Sequence, residues 1–149
     1  MFPRRITRSP AMSQGDTSPI RCFIVEDSPL ILQGLTETLE EMLPLRVVSH
    51  AATEAEACAW LSDPKHEADL IIVDVFLKQG SGLEVLRHAQ KTGHPARRAV
   101  LTNYATPEIH RRSLALGADR VFDKSSELDE LIVYCQGLAD AAELPPPNS

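Results

Sequence analysis

Between Ile20 and Ala142 five short runs, fully apolar or alternating, are each followed by a longer segment whose apolar residues recur every three or four positions. A run that is apolar throughout suits a strand buried on both faces, and a three-to-four period suits a helix with one buried stripe. Strand and helix in strict alternation build a parallel sheet with helices on both faces. The apolar runs are "IRCFIV" (20–25), "LRVVSHA" (45–51), "ADLIIVD" (68–74), "RAVLT" (98–102) and "RVFD" (120–123). After the first, Ser28 is placed to cap a helix opened by Pro29, with Ile31, Leu35, Leu39 and Met42 on its stripe and Pro44 closing it. Thr53 with Glu56 three residues on gives a capping-box pattern for the second helix, which Pro64 stops. The third, "GLEVLRHAQKTG", turns Leu83 and Leu86 inward and ends at Gly93. Thr106 and Pro107 open the fourth. The fifth, "SELDELIVYCQGLADAA", carries Leu128, Leu131, Ile132, Cys135, Leu138 and Ala142 on one face.

Right-handed crossovers leave few arrangements of five such units. The expected fold is α/β: a flavodoxin-like, doubly wound, five-stranded parallel sheet of order 2-1-3-4-5 with five helices. The 149 residues, 43% hydrophobic, suit one core-bearing domain over 19–142. Residues 1–18, rich in Pro, Ser and Gly, read as a disordered leader without the apolar segment of a secretory signal, and Met12 is an alternative start. Residues 143–149 read as a flexible Pro-rich tail. No apolar run reaches the length of about 18 residues that a membrane helix needs. A formal net charge of −6 argues against direct DNA binding, and no residues remain for a helix-turn-helix. Cys22, Cys58 and Cys135 all fall on apolar-periodic positions with no C-x-x-C spacing, so reduced core thiols in a cytoplasmic protein are expected.

In a doubly wound sheet, ligands bind beyond the carboxyl ends of the strands. Those ends carry Glu26 and Asp27 after the first strand, Asp74 after the third, Thr102 at the fourth and Lys124 after the fifth. Each alone is ordinary: a Glu-Asp pair commonly makes a turn, and a loop Lys or Thr is commonly solvated. Together they gather three acids, a hydroxyl and an amine on one rim. Crowded carboxylates repel unless a cation is present. Mg²⁺ takes one or two carboxylates plus water and phosphate oxygens. An aspartate there can attack phosphorus, with Lys and Thr meeting the charge of the transferred group.

The stretches "FIVEDSPL", "LIIVDVFLKQGSGLEVL", "VLTNYA" and "GADRVFDKS" resemble the receiver domain of bacterial two-component response regulators, over nearly the whole chain. The resemblance implies that Asp74 accepts a phosphoryl group from a histidine kinase or a histidine phosphotransfer protein. It implies Mg²⁺ held by Asp27, Asp74 and the backbone carbonyl of Phe76, with Glu26 acting through a metal-bound water. Thr102 would swing towards the phosphoryl oxygens and Lys124 would pair with the aspartyl phosphate. The readout would be the surface of the fourth helix, fifth strand and fifth helix, which could engage a downstream protein or a second copy.

Four positions depart from the common receiver pattern. Ser125 replaces a proline after Lys124, Asn103 replaces a small residue after Thr102, Lys78 replaces a proline in the loop after Asp74, and Val121 stands where an aromatic switch residue is usual, with Phe122 and Tyr104 nearby. Phe76 and Tyr104 lie two residues beyond Asp74 and Thr102, where bulky rings would exclude an attacking water and prolong the aspartyl phosphate. The departures also fit a receiver-like adaptor that binds partners without being phosphorylated. An enzyme on this fold fits less well. A haloacid-type phosphatase needs a second aspartate at Phe76, and the loop after the first strand lacks a Gly-rich phosphate cradle.

Overall fold

In the computed structural model, residues 18–143 are described; all but the last residue of the expected leader (1–18) and all but the first of the expected tail (143–149) lie outside them. The elements run β1 (Ile20–Val25), α1 (Pro29–Met42), β2 (Leu45–Ala51), α2 (Glu54–Ser62), β3 (Leu70–Val73), α3 (Gly82–Lys91), β4 (Arg97–Thr102), α4 (Pro107–Ala115), β5 (Arg120–Asp123) and α5 (Leu128–Glu143). All four strand pairings are parallel and the order is β2-β1-β3-β4-β5, the expected doubly wound sheet. The β1–β2 register slips between Cys22 and Phe23, leaving Val48 as the extra residue of a bulge on the edge strand.

Alternate strand residues feed two cores, one on each face of the sheet. Phe23, Val25, Ile71, Val73 and Val100 pack with Leu61, Leu83 and Leu86 of α2 and α3. Cys22, Ile24, Leu70, Ile72 and Leu101 pack with Leu35, Leu39, Leu131 and Cys135 of α1 and α5. All four residues of β3 are buried, so the strand that precedes Asp74 is the rigid centre of the sheet. Trp60 lies between Phe23 and His66 with its ring parallel to both, at centroid distances of 4.1 and 4.7 Å.

The helix starts follow the expected chemistry. Ser28, Thr53 and Thr106 each accept the backbone N–H three residues on. The capping box at α2 is offset by one residue, since the Glu56 carboxylate takes the N–H of Ala52 rather than that of Thr53. Gly93 follows α3 at φ 67°, the left-handed conformation that suits glycine.

The structure corrects some inward faces. On α1, Leu35 and Leu39 are buried but Ile31 and Met42 are exposed; Leu32 and Leu43 pack inward instead. Leu30, Ile31 and Leu32 are all apolar, so their pattern does not fix the helix phase. Leu43 is the C-cap in extended conformation (φ −136°) and escapes the helical period altogether. On α5, Ala139 is buried and Ala142 is exposed. Cys58 is half-buried, because α2 rests on the sheet through Ala57 and Leu61. Cys22 and Cys135 are core thiols as expected; burial raises the Cys22 pKa well above its ordinary value and pushes that of Cys135 up to about 12.

Candidate functional site at the carboxyl edge of the sheet

The register of the parallel strands brings the ends of β1, β3 and β5 to one edge. The backbone joins them there: Asp74 N–H donates to the Val25 carbonyl at 3.0 Å, and Lys124 N–H to the Thr102 carbonyl at 2.8 Å. The Lys124 side chain reaches back over the sheet. Its Nζ donates to Glu26 Oε1 at 2.7 Å and to Asp74 Oδ2 at 2.8 Å. The three side chains are mostly shielded from solvent, with relative exposures of 12% for Lys124, 4% for Glu26 and 11% for Asp74. Burial by itself would lower the Lys124 pKa; the hydrogen bonds to Asp74 and Glu26 outweigh it and hold the ammonium above its ordinary value.

The other site residues stand around this pair of ion pairs. Thr102 is fully buried, and its Oγ1 accepts the N–H of Tyr104 at 3.2 Å. Phe76 N–H donates to Asp74 Oδ1, also at 3.2 Å. The rings of Phe76 and Tyr104 meet edge to face at 4.9 Å, and both are largely exposed. Asp27 is turned to the loop after β3, where its Oδ2 accepts Lys78 N–H at 2.5 Å.

The sequence places three carboxylates on one rim, close enough to repel. On that rim Glu26 and Asp74 share an ammonium while Asp27 holds a loop amide, and no group of three metal-ligating side chains converges among the described residues. Like charges at one point repel, and this arrangement separates them. The donor chemistry still fits a hard divalent cation. All the side-chain donors are carboxylate oxygens, Asp74 Oδ1 and Asp27 Oδ2 each keep a lone pair beyond the single N–H they accept, and Glu26 and Asp74 share one ammonium.

Val121 is buried at the aromatic switch position and Phe122 is wholly buried in the second core, so of the two nearby aromatics only Tyr104 borders the site. The peptide bond between Lys124 and Ser125 is trans. Two contributors escaped sequence reading. Gly82 packs so closely that a Cβ there would lie 2.0 Å from the Asp74 carbonyl oxygen. Glu54, on α2, binds the loop after β3. A glycine that opens a helix just beyond a candidate nucleophile signals close backbone approach, so Gly82 could have been found; no signal marked Glu54.

The family model for the response regulator receiver domain matches residues 22–136. The chain belongs to that family. Receivers are the signalling domains of two-component systems rather than conventional enzymes, and phosphorylation and Mg²⁺ binding are typical of them. The receiver is 31% identical over 112 residues to the uncharacterized transcriptional regulatory protein YvfU of Bacillus subtilis, covering 75% of this chain and 55% of that one. It is 30% identical over 99 residues to the DNA-binding transcriptional activator DevR/DosR of Mycobacterium tuberculosis, covering 66% and 45%. The chain thus spans about half the length of these relatives. The crystal structure of a CheY-like receiver domain protein from Methanospirillum hungatei JF-1 superposes with a TM-score of 0.73 at 28% identity, covering 85% of this chain and 98% of that one. No helix among the described residues is long and apolar enough to cross a membrane.

Proposed function

We propose that the protein is a phosphorylation-dependent switch or relay in which Asp74 accepts a phosphoryl group from a histidine kinase or a histidine phosphotransfer protein. The observation that carries this reading is the Lys124 ammonium bound to both Asp74 and Glu26 in a site shielded from water. Asp74 Oδ1, with a lone pair beyond its bond from Phe76, is the oxygen available to attack phosphorus. An O–P bond forms as the P–N bond of the donor imidazole breaks. Lys124, already against Oδ2, meets the negative charge that arrives, and Thr102 offers its hydroxyl to a phosphoryl oxygen in exchange for the bond from Tyr104 N–H.

Asp27, Asp74 and the Phe76 carbonyl would hold Mg²⁺, with Glu26 at one remove. The ion would supply positive charge opposite the phosphoryl oxygens. Drawing Thr102 inward biases the β4–α4 loop between two arrangements. The face of α4, β5 and α5 would carry the change to a downstream protein or into a homodimer. The proposed receiver unit is 19–142, the proposed setting is the cytoplasm, and output is through protein contacts rather than direct DNA binding.

The test is phosphotransfer from a phosphohistidine donor, or from acetyl phosphate with Mg²⁺, to wild type and Asp74→Asn, read by intact mass. Wild type gains one phosphoryl group and Asp74→Asn gains none. If wild type shows no change in mass, and none in its spectra with beryllofluoride and Mg²⁺, the protein is an adaptor that binds partners without phosphorylation. Burial of Val121 in place of an exposed aromatic favours that second reading.

A further inference from the structure

The loop from Val75 to Ser81 connects the phosphoacceptor to α3, and its backbone is fixed from outside by two carboxylates. Asp27 holds the middle through Lys78 N–H. Glu54, in the first turn of α2, holds the end. Its Oε1 accepts Ser81 N–H at 3.0 Å, and its own backbone N–H donates to the Gln79 carbonyl at 3.2 Å. Gly80 lies flat against this residue at φ 88°; a Cβ there would sit 2.3 Å from the Glu54 Cβ and 2.6 Å from Oε1. The contact therefore needs a residue without a Cβ at position 80, and the bond to Ser81 needs an acceptor oxygen at position 54.

Helix capping does not account for Glu54. The amides at the start of α2 are already served by Thr53, which takes Glu56 N–H, and by Glu56, which takes Ala52 N–H. The carboxylate of Glu54 points across to a segment 27 residues away. From there a short chain of contacts leads to the reactive oxygen. Ser81 pairs with Phe76 as an isolated antiparallel bridge, Gly82 N–H closes the loop onto the Val75 carbonyl at 2.8 Å, and Phe76 N–H binds Asp74 Oδ1.

We infer that Glu54 is a positioning residue for the phosphoacceptor loop: a strut from α2 that fixes the backbone of residues 76–81, and so the Phe76 amide on Asp74 and the Phe76 carbonyl on the proposed cation side. Asp27 holds Lys78 N–H with the same carboxylate that the proposed function assigns to the cation, so its hold on the loop would be shared with metal binding. Glu54 has no such competing duty. The functional half of this inference rests on the reading of Asp74 as a Mg²⁺-dependent phosphoacceptor. The structural half does not.

The experiment compares wild type, Glu54→Ala and Glu54→Gln. Gln keeps the acceptor oxygen and drops the charge. In metal-free protein, amide hydrogen exchange across residues 76–81 is expected to accelerate about tenfold in Glu54→Ala, the equivalent of one lost hydrogen bond. It should stay near the wild-type rate in Glu54→Gln, with β3 and β4 amides unchanged in both. Mg²⁺ titration by calorimetry should show about tenfold weaker binding for Glu54→Ala and rescue by Gln. Equal loop exchange in wild type and Glu54→Ala overturns the strut. So does faster exchange spread evenly over the sheet, which would mark a general loss of stability. Wild type that exchanges as expected but binds no Mg²⁺ and takes no phosphoryl group leaves the strut standing and removes the phosphoacceptor reading.

Discussion

Replacing Lys124 with methionine removes the ammonium and keeps the stem. The variant leaves Glu26 and Asp74 facing one another, each with one backbone donor, from Ser28 at 3.0 Å and from Phe76 at 3.2 Å. Breaking a shielded ion pair from one side costs about 3–5 kcal/mol, because the partner charge stays behind without compensation. The remaining backbone donors and the nearby solvent place this case at the lower end, about 3 kcal/mol. For a domain of this size that lowers the melting temperature by roughly 10 °C. The assay is thermal and urea unfolding by circular dichroism in the presence of a chelator. Excess Mg²⁺ should narrow the gap between variant and wild type by restoring positive charge. The folded-state pKa of Lys124 lies above its ordinary 10.5, so its contribution is fully present below that value and is lost as pH rises through the folded pKa. The gap is therefore flat across neutral and mildly alkaline pH and closes only in stronger alkali. A loss below about 1 kcal/mol, the worth of an exposed pair, would refute the reasoning.

The edge-to-face pair of Phe76 and Tyr104 is expected to keep water from the phosphorylated site, giving an aspartyl phosphate half-life on the order of an hour. The double alanine variant should hydrolyse at least about tenfold faster, and a wild-type half-life under a minute in Mg²⁺ buffer rejects the idea. Gly82→Ala drives a Cβ into the Asp74 carbonyl, so it should destabilise the fold by about 2 kcal/mol and impair phosphorylation together; normal unfolding and normal phosphotransfer would contradict the close approach. Arg98 donates to the carbonyls of His94, Ala89 and Gly117, tying the end of α3 to the loop before β5. Arg98→Met should cost about 2 kcal/mol in urea unfolding and leave phosphotransfer intact.

The layered sheet was legible because β3 is apolar throughout, β1 is apolar except for Arg21, and the caps at Ser28, Thr53 and Thr106 have fixed chemistry. Helix phase was less legible. On α1 three consecutive apolar residues, Leu30 to Leu32, fit more than one rotation, and only docking on the sheet exposes Ile31 and buries Leu43. The meeting of Glu26, Asp74 and Lys124 followed from strand order alone, since parallel strands must deliver their carboxyl ends to one edge. What each carboxylate binds did not follow. Asp27 turns to Lys78 and Glu54 to Ser81 because of how the backbone folds between Val75 and Gly82, and no periodicity encodes that path.

Lys124 is separated from Glu26 by 98 positions and from Asp74 by 50. During synthesis both acids leave the ribosome long before their shared cation does, and they gain it only when the fifth strand docks against the fourth. A nascent or truncated polypeptide lacking β5 presents both carboxylates without their counter-charge, so under the proposed function it is expected to be a poor phosphoryl acceptor until that strand is in place.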